Sequence, residues 1–227
     1  MEMWLWGADG SLAGWAAVGS VALLLALLVD GRWGEPPVSI HPVVWMGRYL
    51  GWAGGHVAPL TQGSPPPHLQ KRRSFWLGAL AWCAGGGGAG AVAWWLQSQL
   101  LQAPWWLACP LLAVLLKPML AWRMLHREVA AVEQALSRSL AEGREQLARL
   151  VSRDVSQLSA AEVRESAIES LAENLNDSVV APIFWFVLLG LPGAVVYRFA
   201  NTADAMWGYP GSRGARYWQW AGKWAAR

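Results

Sequence analysis

Long apolar runs alternate with charged stretches along this chain, and the runs set its plan. Four of them approach the roughly 20 residues that cross a bilayer as a helix. They extend from about Leu12 to Val29, from Phe75 to Leu96, from about Pro104 to Leu116 and from Val179 to Phe199. The last is interrupted by Gly190-Leu191-Pro192-Gly193. The first has only Glu2 and Asp9 upstream and ends in Asp-Gly-Arg without a small-residue cleavage site, so it reads as a retained span and not a removed leader. Between the third and fourth runs the period changes. Val129, Val132, Leu136 and Leu140 recur at helical spacing beside charged positions. Ser159 and Glu162 fit a capping box, with Leu158 and Val163 as its hydrophobic staple, which predicts a helix from Ala160 to about Asn176. Pro65-Pro66-Pro67 marks a stiff connector.

The pattern predicts an all-α integral membrane protein with three to four transmembrane or re-entrant helices and a helical cytoplasmic lobe. Residues 1–116 form a membrane region with three spans and a cytoplasmic 30–74 loop; 117–178 form the lobe; 179–227 form a broken membrane helix and a polar tail. Composition agrees. Hydrophobic residues make up 55% and charged residues 15% of 227, against roughly 25% charged in a soluble domain. This excludes a disordered chain and a coiled coil. Cys83 and Cys109 sit singly in apolar runs, which excludes a disulfide scaffold and a thiolate metal site. A scattered net charge of +3 is no nucleic-acid footprint. Most of the 18 tryptophans suit the aromatic belts at the two membrane surfaces.

Charge asymmetry orients the spans. Arg32, Arg48, Lys71, Arg72 and Arg73 place 30–74 in the cytoplasm, as Lys117, Arg123 and Arg127 do for 117–178; the uncharged 97–103 connection and the N-terminus lie outside. A fourth full span would put Arg213, Arg216, Lys223 and Arg227 outside. A re-entrant hairpin folded at Gly190–Gly193 keeps them inside and is preferred; non-helical backbone is tolerated at membrane depth when protein buries it.

Polar residues at membrane edges are costly and are therefore candidates for function. Three clusters stand out. Asp30, Glu35, His41 and Arg48 lie in a Gly- and Pro-held segment after the first run, Asp30-Gly-Arg-Trp-Gly-Glu-Pro-Pro, His41-Pro-Val and Met46-Gly-Arg48; an ordinary juxtamembrane turn is the alternative. Glu165, Glu169 and Glu173 share one helix face and lead into Asn174, Asn176 and Asp177. Stacked carboxylates with amides suit a hard cation such as Mg²⁺ shared with phosphate oxygens; a solvated acidic face is the alternative. Asn201, Thr202 and Asp204 follow the fourth run, where they could complete an oxygen-rich site or simply cap a helix end. Gly85–Gly88 is no phosphate loop and fits close helix packing.

In this order and spacing, the clusters resemble the CobD/CbiB family of adenosylcobinamide-phosphate synthases. The matching text is Asp30, Gly34-Glu-Pro-Pro, His41-Pro-Val and Met46-Gly-Arg48; then Lys117-Pro and Ser152-Arg153-Asp154; then Glu169-Ser-Leu-Ala-Glu173-Asn174, Asp177 and Val180-Ala-Pro-Ile-Phe-Trp185; and last Asn201-Thr202-Ala-Asp204-Ala-Met-Trp-Gly208-Tyr209. The resemblance implies a carbon–nitrogen ligase of cobalamin biosynthesis. It would join adenosylcobyric acid to (R)-1-aminopropan-2-ol or its O-phosphate, with ATP and Mg²⁺, on the cytoplasmic face of a bacterial-type inner membrane. The resemblance carries these positions and not their individual roles; the roles expected from their chemistry are catalytic for Asp30, Glu35, His41 and Asp204, substrate contacts for Arg48, Arg153, Asn201 and Thr202, and metal contacts for Glu169, Glu173, Asn174 and Asp177. Its partners would be those substrates, the bilayer and other membrane enzymes of the pathway, and no nucleic acid. The family's C-terminal part is expected to be missing from this chain, so a non-catalytic membrane scaffold is the first alternative and a small-molecule transporter the second.

Overall fold

A computed structural model describes residues 12–61 and 68–226. The connector Pro65-Pro66-Pro67 and the N-terminal residues placed outside lie beyond the described residues. Eight α-helices follow in order: α1 Leu12–Trp33, α2 Pro42–Val57, α3 His68–Leu100, α4 Trp105–Leu116, α5 Trp122–Arg138, α6 Leu140–Leu147, α7 Ala160–Leu175 and α8 Ala181–Trp207. The strands described are the short antiparallel pair β1, Ser212–Arg213, and β2, Arg216–Tyr217. Four helical stretches are long and apolar enough to cross a membrane: Gly14–Trp33, His68–Leu100, Trp105–Arg138 and Ala160–Trp207. The all-α membrane architecture read from the sequence is therefore the one observed.

α3 has 33 residues, about 50 Å of helix, which exceeds a hydrocarbon core of about 30 Å. Its two ends therefore stand in or beyond the interfacial layers. α1 packs along α4, and α3 packs along α8. Small residues permit the second contact. Gly85 lies against Tyr49 and Phe199, Gly86 against Phe199, and Gly90 against Val196; Gly87 and Gly88 face open space. Close packing thus uses only half of the four-glycine run. α2 is pinned between its neighbours by two hydrogen bonds: Tyr49 donates to the Ala81 carbonyl at 2.8 Å, and Trp207 donates to the Leu50 carbonyl at 3.1 Å.

The fourth apolar run does not continue as one rod. Gly190 has φ +69° and ψ −159°, outside the helical region and accessible at low cost only to glycine. The chain reverses there. The Tyr197 hydroxyl donates to Asp177 Oδ1 at 3.3 Å, and Arg198 Nη1 donates to Ser178 Oγ at 2.8 Å. A straight helix would separate residues twenty apart by roughly 30 Å. The reversal frees backbone groups, and the buried Gln97 side chain accepts from the Leu191 N–H at 2.7 Å. A helical hairpin is the result, entered through a π-turn at Asn176–Val180.

The lobe has its own small core of Val132, Leu136, Leu147, Val155, Val163 and Ala167. The capping box at Ser159 is formed as predicted. The helix bearing Val129, Val132 and Leu136 stops at Arg138, two residues short of the expected continuation to Leu140. Ser139 is extended (φ −163°, ψ 154°) and its side chain accepts from the Glu142 N–H, so it starts a new helix. The tail is not a free polar end. Thr61 donates its N–H to Ala215, and Tyr217 donates to Pro59, tying the tail to the end of α2. Trp218, Ala221 and Ala225 are buried. Trp207 and Trp218 stack at 6.1 Å, so these two tryptophans belong to the core and not to a belt.

Candidate functional site

Several segments meet at the C-terminal end of α1. Asp30 is the last turn of that helix and is wholly buried. Gly34 (φ +73°) turns the chain out of the helix, and Pro36 and Pro37 keep it extended, so Glu35 and His41 fold back toward Asp30. Lys117 arrives at the end of α4, also buried. Its Nζ lies 3.3 Å from Asp30 Oδ1 and 3.0 Å from Glu35 Oε2. Both distances are those of ion pairs, but the ammonium is aligned for a hydrogen bond with neither carboxylate. Asp30 Oδ2 accepts the Arg123 N–H at 2.9 Å. The Arg123 side chain donates to the Arg32 carbonyl.

His41 caps α2. Its Nδ1 accepts the Val43 N–H at 3.2 Å, which leaves Nε2 to carry the ring proton and donate to Glu35 Oε2 at 2.8 Å. Ser178, in the π-turn, accepts the Ala121 N–H on its carbonyl and Arg198 on its hydroxyl. Asp30, Glu35, His41 and Asp177 are thus drawn into one neighbourhood with Lys117, Arg198, Ser178 and Tyr197. Lys117 stood out in the sequence as a flanking charge and as part of a Lys-Pro pair, and Arg198 was not singled out. Nothing in the local pattern joins either to Asp30 or Asp177, because every link between them is tertiary.

A second group lies one turn away along α7. A cavity of about 270 Å³ is lined by Leu150, Val151, Ser152, Arg153, Glu169, Ser170, Glu173 and Asn174. Arg153 pairs with Glu169, and Asn174 donates to the Ser170 carbonyl at 2.8 Å. Beside this cavity the Ser156 N–H donates to Asp154 and holds its carboxyl below the ordinary range. Glu169 and Glu173 share this cavity, whereas Asp177 does not line it. The π-turn that begins at Asn176 changes the helical phase and turns Asp177 toward Tyr197. Among the described residues no three acidic, His or Cys side chains converge on a cation-sized site. Mg²⁺ does not require that. It is commonly held by one or two carboxylates and shared with phosphate oxygens, and two carboxylates, an amide and a guanidinium around one cavity fit such a complex.

The remaining candidates lie on α2 and α8. Arg48 is exposed on α2. Thr202 donates to the Arg198 carbonyl, so its hydroxyl is engaged within α8. Asn201 and Asp204 lie inside α8 and not past its end; the Asp204 carboxylate abuts Gly208, which leaves no room there for a Cβ.

Comparison with known proteins adds the relationship. The family model described as CobD/Cbib protein matches residues 23–227. A probable cobalamin biosynthesis protein CobD of Pyrococcus abyssi is 42% identical over 211 residues, covering 91% of this chain and 64% of that protein. The cobalamin biosynthesis proteins CobD of Chromobacterium violaceum and Stutzerimonas stutzeri are each 39% identical, covering 84% and 87% of this chain and 58% and 60% of their own lengths. The chain therefore spans less than two thirds of these relatives. No solved structure matches. With the family match running through nearly all of the described residues, the chain belongs to the CobD/Cbib family.

Proposed function

We propose that this chain acts in cobalamin biosynthesis as a membrane-bound carbon–nitrogen ligase, joining adenosylcobyric acid to (R)-1-aminopropan-2-ol or its O-phosphate. One observation carries the reading beyond family membership. Residues of the family-like motifs at Asp30, Glu35, His41, Lys117 and Asp177 are far apart in sequence, yet they meet at one membrane edge beside Arg198. Buried charges are expensive to keep unless they serve a purpose or are fully matched, and here several polar atoms have no hydrogen-bond partner among the described residues: Asp30 Oδ1, Glu35 Oε1, Lys117 Nζ and Arg198 Nε.

Amide formation from a free carboxylate is uphill in water. A nucleoside triphosphate with Mg²⁺ supplies the activation when bound. Glu169, Glu173 and Asn174 would hold the cation and Arg153 a phosphate through its planar fork, all from the cavity on α7. Asp30, Glu35 and His41 are the groups available for proton transfer with the amine. The polar edge faces the cytoplasm by the charge rule, the side on which a nucleotide is found.

The test is turnover by the purified chain in detergent with adenosylcobyric acid, the amine, ATP and Mg²⁺, followed by mass spectrometry of the corrinoid. A gain of one amine less one water is expected. Glu173→Gln should abolish that gain while the protein stays folded and inserted; near-normal turnover would remove the α7 cavity from the mechanism. No gain with the unaltered chain, together with recovery of pathway enzymes in a pull-down, would favour the scaffold.

A further inference from the structure

The three proton-transfer candidates at the end of α1 are not equivalent. Asp30 has no exposed side-chain surface, and its two oxygens face the Arg123 amide and the Lys117 ammonium. His41 has both ring nitrogens occupied, Nδ1 by the Val43 N–H and Nε2 by Glu35. So held, it offers no lone pair to a substrate. Glu35 differs from both. Lys117 and His41 converge on a single oxygen, Oε2, at 3.0 and 2.8 Å. The other oxygen, Oε1, is shielded from solvent and has no donor among the described residues. The side chain as a whole remains 26% exposed, so it stands at the boundary between the buried ion network and the outside. A buried carboxylate oxygen without a donor is costly, and a cationic N–H is the donor that matches it best.

We infer that Glu35 Oε1 is the docking and deprotonation point for the primary ammonium of the amine substrate, and that Lys117 and His41 are positioning residues that fix the carboxylate through Oε2. The inference rests on the ligase reading above. In the step, the substrate ammonium gives one proton to Glu35 Oε1. The freed nitrogen lone pair attacks the acyl carbon of the carboxylate activated by a nucleoside triphosphate. The carbon–nitrogen bond forms, the bond from carbon to the activating oxygen breaks with departure of the phosphate-bearing group, and the nitrogen loses its second proton to water. Asp30 takes no part; it is the counter-ion that keeps Lys117 in place.

Hydroxylamine separates this role from a structural one, because it is largely unprotonated at neutral pH and attacks an activated carboxylate without a base. The unaltered chain should form the amide with aminopropanol and the hydroxamate with hydroxylamine. Glu35→Gln should lose amide formation by about 100-fold or more, the usual scale of a removed general base, while hydroxamate formation stays within a few fold. Glu35→Asp should recover part of the amide rate. Lys117 still pairs with Asp30 in the Gln variant, and its thermal unfolding curve checks that the fold is kept. Equal loss with both nucleophiles in a folded variant would overturn the assignment, as would undiminished amide formation. An unaltered chain that makes neither product would overturn the ligase reading, and the assignment with it.

Discussion

Removing the Lys117 ammonium would leave the Asp30 carboxylate out of water with only one N–H for company. Breaking a buried pair in this way costs about 3–5 kcal/mol, so Lys117→Met should lower the midpoint of denaturant unfolding in detergent markedly. Adding Asp30→Asn should recover much of the loss, since a neutral amide no longer needs a counter-ion; a double variant as unstable as the single one would show that Lys117 acts otherwise. By contrast, the exposed pair of Arg164 with Glu133, at 2.9 Å, stands in water, and replacing either partner should leave the unfolding midpoint almost unchanged. At this scale the sequence was informative where a polar residue interrupts an apolar pattern. Asp30, Glu35 and His41 announced themselves in that way. Which of their oxygens face neither a donor nor the Lys117 ammonium was not legible, because it depends on Lys117 and on the orientation of one imidazole ring.

Helix boundaries followed from caps and apolar runs wherever the signal was local, as with the capping box at Ser159. They failed at Ser139, where a serine that could continue one helix instead caps the next. The Gly190–Gly193 break was visible in the sequence. Its full reversal depends on Gln97, ninety-four positions away, which no periodicity could reveal. Two variants test the turn. Gly190→Ala places a Cβ against the Gln97 amide at a φ that disfavours it. Gln97→Leu strands the Leu191 N–H in an apolar setting, at a cost of about 1–3 kcal/mol. Both should lower the temperature at which the detergent-solubilised protein aggregates. A Gln97→Leu protein as heat-resistant as its parent would remove the side chain from the account of the hairpin.

For the whole molecule, the reversal sets the topology. With a hairpin at Gly190, the tail at Ser212–Tyr217 returns to the side of the lobe and joins the end of α2. Single cysteines at Arg149 and Arg213, in a chain lacking Cys83 and Cys109, should both react with a membrane-impermeant maleimide in inverted vesicles and neither in intact cells. Labelling of the Arg213 position from the opposite side would mean a fourth crossing. The four apolar spans and the helical lobe were readable from hydropathy and helical spacing. The burial of Trp207 and Trp218 was not, because tryptophan suits a membrane surface and a packed core equally well, and only the approach of the tail to α2 and α8 decides between them.

The buried Gln97 side chain has a consequence for biogenesis. A segment whose backbone is broken at membrane depth cannot be handed to lipid alone, since the freed N–H would have no partner there. The hairpin can settle only against an α3 that is already in the bilayer. Synthesis runs in that order: the glutamine leaves the ribosome well before the segment that requires it, so insertion of the fourth apolar run is a docking event between parts of one chain and not a separate entry into the membrane.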